Sequence, residues 1–367
     1  TNIMFSDQHM WISTGRSTLR LGADNTFKTD LFTLGGNRAN ARLEFASGGT
    51  LTLGGSTGSR TDLRIGYQTL GTGSTANSTA DFSGGTLNAT LDELIIGYAQ
   101  GKSTGGGTAN GTMLFGTGTV TANSVTIGDA NASVGQGIGN GTLAMSGGTF
   151  SVGGDITLAT GTTLSKGTIN LSGGMLSAGS ITKGTGTASF NFTGGTLHVG
   201  TFGSEARPFD LVQNGGTLAP GNSPGMTTIY GNYTMAAAGA LEIEISGLDQ
   251  GDRGLVGGAN DGLGYDFVMV HGDATLAGSL NVLLLDDFYP VLGTHFDVLQ
   301  TTGTLDITGL TLNDQFAPMT FGWWEMAMIP GLGGEGAILR LSAVPEPSSA
   351  LLLVLVLLAG CVRRRRR

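Results

Sequence analysis

Carboxylates are the residues of this sequence best suited to chemistry, and they are sparse: 27 Asp and Glu among 367 residues, against 18 Lys and Arg. Glycoside cleavage asks for two carboxyls roughly 5 to 9.5 Å apart, and elimination from a uronate asks for a base beside a cation. Asp92-Glu93 and Asp286-Asp287 are adjacent acidic pairs. Adjacent side chains of a strand point to opposite faces, which argues against a paired site at either. Asp155 and Asp210 stand alone, and His9, His198, His271 and His295 are scattered without ligand spacing. Asp249, Asp252, Asp261 and Asp266, in "GLDQGDRGLVGGANDGLGYD", are hard oxygen donors suited to Ca²⁺. Their spacing matches no EF-hand, and an acidic surface loop is the competing reading. Trp323 and Trp324 in "FGWWEM" suit either sugar stacking or a cover over one end of a fold. No convergent acidic and basic set on one face is legible. The expectation is therefore a protein that is not an enzyme, with no catalytic residue, no metal and no cofactor.

The elements that would position these residues come from a repeat. "SGGTL" or a close variant begins at Ser47, Ser83, Ser146, Ser172, Thr193 and Asn214, with "GTGTV" at Gly116 a weaker copy. A second motif, "RIG", "IIG", "TIG" and "TLA", places Ile65, Ile96, Ile127 and Leu158 at a constant spacing of 31, and the "GGTL" spacing later tightens to 21. Each unit reads as two short strands, such as "ADFSGGTLNAT" and "DELIIGYA", with apolar and hydroxyl residues alternating and glycine at the corners. Short strands at this period describe the coils of a parallel β-helix, in which like residues stack inward coil upon coil. The long units carry insertions at 71–79, 101–111 and 131–141, expected as exposed loops on one side. Asn77, Asn110 and Asn140 recur five residues before an apolar position and are expected to stack as an amide ladder, an Asn turn or a ligand-binding row.

Composition bounds the class. Glycine contributes 66 residues but proline only 8, with no G-X-Y period, which excludes collagen. The single Cys361 excludes an intrachain disulfide. Net charge is −9; without Arg363 to Arg367 the chain carries 13 basic against 27 acidic residues, a body that repels nucleic acid and anionic membranes. The opening "TNIMFSDQHMWIS" has no initiator Met and no apolar leader, and a removed signal peptide is the expectation. The end, "VPEPSSALLLVLVLLAGCVRRRRR", reads as an extended proline stretch, an apolar helix over 350–362 and a basic stop that keeps the arginines cytoplasmic.

Two resemblances follow from these residues. "NGGTLAPGNSPG" at 214–225, with "GNYT", "GALEIEI" and "YDFVMVHGDATLAGSL" after it, resembles the passenger-associated strand repeats of autotransporter-like bacterial surface proteins. That resemblance implies a right-handed parallel β-helix ending in a β cap. The tail resembles the PEP-CTERM sorting signal: Pro345, Glu346 and Pro347, then the apolar run, then Arg363, Arg364, Arg365, Arg366 and Arg367. It implies export, transient anchoring in the inner membrane through a C-terminal transmembrane helix, and recognition by an exosortase-type processing enzyme that cuts near the Pro-Glu-Pro motif.

The sequence thus predicts an all-β fold, a parallel β-helix solenoid with a C-terminal β cap and a single short hydrophobic helix. Residues 1–40 are read as an incomplete or capping coil, 41–230 as the repeats, 231–343 as a β-rich C-terminal part and 344–367 as the sorting signal. The function expected is that of a secreted cell-surface or matrix structural or adhesive protein, with extracellular polysaccharide among its partners and no nucleic acid. The alternative is a carbohydrate-active β-helix enzyme, a polysaccharide lyase or hydrolase.

Overall fold

A computed structural model describes residues 2–345 apart from 5–8, 13–14, 47, 70–72, 103–104, 132–136, 222–223, 252–263, 317–321 and 332–333. Its named elements are all β-strands, most of them paired in parallel with the strand one repeat away. The fold is an all-β, solenoid-like stack of coils.

Each coil carries three strands rather than the two expected. In one sheet Arg16–Leu21, Asn40–Phe45, Thr75–Asp81, Thr108–Phe115 and the start of Ile138–Thr160 stack in turn. A second is begun by Asp24–Lys28, Thr50–Gly54 and the first half of Thr86–Lys102. A third runs through Leu31–Gly36, Thr61–Gln68 and the second half of Thr86–Lys102. From there on, strands cross the corner between the second and third sheets unbroken, with the register slipping between Leu91 and Leu94 and between Ala122 and Val125.

The strand left out of the two-strand reading lies in the stretches expected to be loops. Ala76 and Ala109 are fully buried, and Asn77, Asn110 and Asn140 share one register column. The reason is side-chain size. The first half of these strands faces inward with Ala and Gly, such as Ala76, Ala109 and Gly111, and larger residues such as Met113 and Phe115 come only toward the end, so the alternation begins with almost no hydrophobic signal. The amide ladder itself is present: Asn77 donates to Asn40 at 2.8 Å, Asn110 to Asn77 at 2.7 Å and Asn140 to Asn110 at 2.8 Å.

The core is built of register columns. Ile65, Ile96, Ile127 and Leu158 lie one above another, each fully buried. Beside them Leu63, Leu94, Val125, Ile156, Ile181, Phe202, Ile229 and Val270 form a longer column of the third sheet, again buried throughout. Removing each such side chain from water contributes about 1.5–3 kcal/mol, repeated at every coil. The residue after the first column turns the chain: Gly97 and Gly128 have φ of 76° and 74°, and a Cβ on Gly128 would run into the Lys166 carbonyl. Ala159 accepts the same turn at φ 55° in the next coil, at a cost of about 1–2 kcal/mol.

Parallel pairing continues past residue 230, where Ala274–Leu284 lies between Gly239–Ile245 and Leu305–Phe316. The order then changes. Ala337–Pro345 pairs antiparallel with both His295–Thr301 and Gly322–Pro330, fastened by Arg340, whose Nε and Nη2 donate to Asp297 at 2.6 and 3.0 Å. Trp324 packs on Phe296 beneath this hairpin, while Trp323 is exposed.

The expected transmembrane helix is corrected: no helix among the described residues is long and apolar enough to cross a membrane. Residues 350–362, where it was expected, lie outside the described residues.

Candidate functional site

The third sheet turns alternate residues outward, and on three successive coils these outward residues carry chemistry. Asp62 and Arg64 flank the buried Leu63 on Thr61–Gln68, and Tyr67 follows on the same side. The next strand places Glu93 beside Asp62, Ile95 beside Arg64 and Tyr98 beside Tyr67; the strand after that adds Asp129 beside Tyr98. The register slip at Leu91/Leu94 matters here. It buries both of those leucines and leaves Asp92 exposed and Glu93 half-buried between them, so the strict alternation that argued against the pair does not hold at this corner.

The contacts are close. Arg64 Nη2 lies 3.7 Å from Asp62 Oδ2, and its guanidinium carbon is 4.6 Å from the centre of the Tyr67 ring. The rings of Tyr67 and Tyr98 stack with centroids 4.6 Å apart and planes 18° from parallel. Arg64 Nε is buried with no acceptor among the described residues. Asp92 accepts from Asn123 Nδ2 at 2.6 Å, which holds it at the rim.

Burial pushes the Asp62 and Glu93 carboxyls above their ordinary values. For Asp62, Arg64 opposes the shift and Asp92 adds to it. For Glu93, the charge of Asp62 is the next cause after burial, with Asp92 and Asp129 adding more and Arg64 opposing. Glu93, hemmed by three like charges, is the better proton holder; Asp62, against the guanidinium, is the better anion. Tyr98 is raised by burial and by Tyr67 and Asp129. Two carboxyls on neighbouring strands, each close enough to influence the other's titration, with one favoured as acid and the other as base, can perform acid–base work on a polyhydroxylated ligand.

The other candidates read from the sequence are spread over the molecule. Asp286 and Asp287 occupy a turn in the left-handed region, at φ 52° and 56°. Asp155 accepts from Ser180, and Asp210 accepts from the Asn232 backbone. Asp249 and Asp266 are buried, Asp252 and Asp261 lie outside the described residues, and no group of three or more His, Cys, Asp or Glu that could hold a metal occurs among the described residues. Asp266 accepts from the backbones of Gly225 and Glu244, and burial pushes its carboxyl well above the usual range. His9 belongs to the strand His9–Ile12, His295 Nδ1 meets the Ser342 hydroxyl at 2.8 Å, and burial lowers His198. His271 stacks on Tyr230. Pro345 ends the last described strand opposite Gly322; Glu346, Pro347 and Arg363 to Arg367 lie outside the described residues.

Asp62, Arg64, Tyr67 and Tyr98 were missed although the sequence carried the signal. The spacing of 31 that aligns the buried isoleucines also aligns Asp62 with Glu93 and Tyr67 with Tyr98 and Asp129. Comparison with protein-family models and with curated proteins returns no match.

Proposed function

We propose that this chain is a carbohydrate-active parallel β-helix protein, right-handed and closed by a C-terminal β cap, that is exported and acts on extracellular polysaccharide at the cell surface. One observation carries the reading: Asp62, Arg64 and Glu93 converge with Tyr67 and Tyr98 on one outward face of consecutive coils.

One carboxyl favoured as acid and a second favoured as anion are the pair that a retaining hydrolysis uses. Asp62 attacks the anomeric carbon as the glycosidic C–O bond breaks, and the leaving oxygen takes the proton of Glu93. Water then displaces the sugar from Asp62, giving its proton to the Glu93 carboxylate. Arg64 keeps Asp62 ionised in the first step, and the stacked tyrosines hold the chain against the sheet.

Delivery to the surface is part of the proposal. Pro345 closes the last described strand, and with Glu346 and Pro347 it makes up the motif that an exosortase-type enzyme would read as a PEP-CTERM sorting signal. A mass of the surface protein that still includes residues 350–367 would refute that delivery route.

A structural or adhesive role is favoured by the amide ladders, which stiffen the stack without chemistry. Incubation of the purified protein with a panel of neutral and acidic polysaccharides separates the two. New reducing ends, lost in Glu93→Gln and Asp62→Asn, support hydrolysis; retention without product supports adhesion; neither retention nor product overturns the assignment of this face to carbohydrate.

A further inference from the structure

The column that carries the candidate site does not end there. The residue after most members of the long buried column points outward, the buried Gly203 after Phe202 being the exception, and six strand spacings separate Leu63 from Ile229, so Tyr230 lies roughly 29 Å from Arg64 along the same sheet. One coil further, His271 follows Val270. The Tyr230 and His271 rings stack 4.5 Å apart and 5° from parallel, and beneath them opens a cavity of about 280 Å³ lined by Glu205, Pro208 and Gly231 as well as the two rings.

Three features give this cavity a chemistry. Its walls include two aromatic rings and a proline, and Glu205 adds a charged acceptor on an exposed turn. Its volume suits a single ring of a ligand rather than an apolar peptide segment. The columns between it and the candidate site are mostly small and polar: Thr126, Thr157 and Thr182 continue the outward column from Ile95 as far as the buried Gly203, with Asp155, Ser180, Thr201 and Thr228 in the column beside them. Side chains of this size leave the face open along the stack and present a hydroxyl at each coil.

We infer that the Tyr230–His271–Glu205 cavity is a second saccharide subsite, which holds a sugar unit of the same polysaccharide strand whose other part lies over Asp62 and Glu93. This rests on the carbohydrate reading of that face. The ligand is therefore a long strand laid along the stack, and its affinity comes from two modest sites joined by the strand itself.

The test uses the whole chain carrying Glu93→Gln, so that the probe stays intact, titrated with cello-oligosaccharides and oligogalacturonates, each as a disaccharide and as an oligomer long enough to span both positions. With only four histidines in the chain, the His271 ring resonance is resolvable by NMR. The long oligomer of one series is expected to move that resonance, and His271→Ala or Tyr230→Ala is expected to weaken its binding at least tenfold while leaving the disaccharide within twofold. His271 is exposed, so its replacement leaves the fold intact. If a long oligomer binds, responds to Tyr67→Ala and Tyr98→Ala, and leaves His271 unmoved and both cavity variants unaffected, the second subsite is refuted and the first stands. If it moves His271 and responds to the cavity variants but not to Tyr67→Ala, Tyr98→Ala or Asp62→Asn, the carbohydrate reading of the Asp62–Glu93 face fails. Binding of no oligomer in either series refutes both.

Discussion

Glu93→Gln is expected to make the protein more stable and less active. Glu93 and Asp62 occupy neighbouring strands, and carboxylates roughly 5 Å apart repel by about 3 kcal/mol in an effective dielectric near 20. Both groups are half-exposed and Arg64 lies 3.7 Å from Asp62, so about 1 kcal/mol of this survives as net strain. The sign follows from linkage. The Glu93 pKa is raised on folding above its ordinary 4.5, so the folded chain holds this proton more tightly than the unfolded one, and its ionisation destabilises the fold as pH rises. The penalty is absent below about pH 4.5 and fully present above the raised folded value. Urea unfolding should therefore show Glu93→Gln equal to the wild type in acid and about 1 kcal/mol more stable at neutral pH, with a double-mutant cycle against Asp62→Asn returning a smaller coupling of the same sign, because burial is the larger cause of the Glu93 shift. Product release from a polysaccharide should fall by about 10²-fold or more. A variant less stable than the wild type at neutral pH, or a difference that does not change with pH, would show that Glu93 is a satisfied surface group and not a strained acid.

Ile127→Ala, in the middle of a buried column, should cost about 2–5 kcal/mol in denaturant unfolding, whereas Thr126→Ala, one residue away on the outward side, should stay within about 0.5 kcal/mol; equal effects would contradict the inward–outward assignment. Asn110→Ala removes two links of the amide ladder and should cost about 2 kcal/mol, a loss that an exposed loop would not show. Asp266→Ala strips the acceptor from the backbones of Gly225 and Glu244 in a buried place and should cost about 3 kcal/mol, read from the midpoint of thermal unfolding.

The sequence by itself determined the stack. A spacing of 31 that returns Ile65, Ile96, Ile127 and Leu158 can only bring these residues to one place in each coil, and their burial in one column follows from hydrophobicity. The ladder of Asn77, Asn110 and Asn140 was legible from its constant offset of five residues before Phe82, Phe115 and Met145, although the intervals between the asparagines themselves differ. What the sequence did not disclose was the small-residue strand of each coil, because Ala76 and Ala109 fill an inward position as completely as leucine does elsewhere without its hydrophobic signature. The spacing of 31 also aligned Asp62 with Glu93 in the sequence, but tertiary structure alone decided that both face outward: Glu93 turns outward beside Asp92 only because the chain slips its register at a corner. Local alternation governs which way a side chain points within a straight strand; at a bulge it is the packing of Leu91 and Leu94 into the core that decides, and that packing belongs to the whole stack.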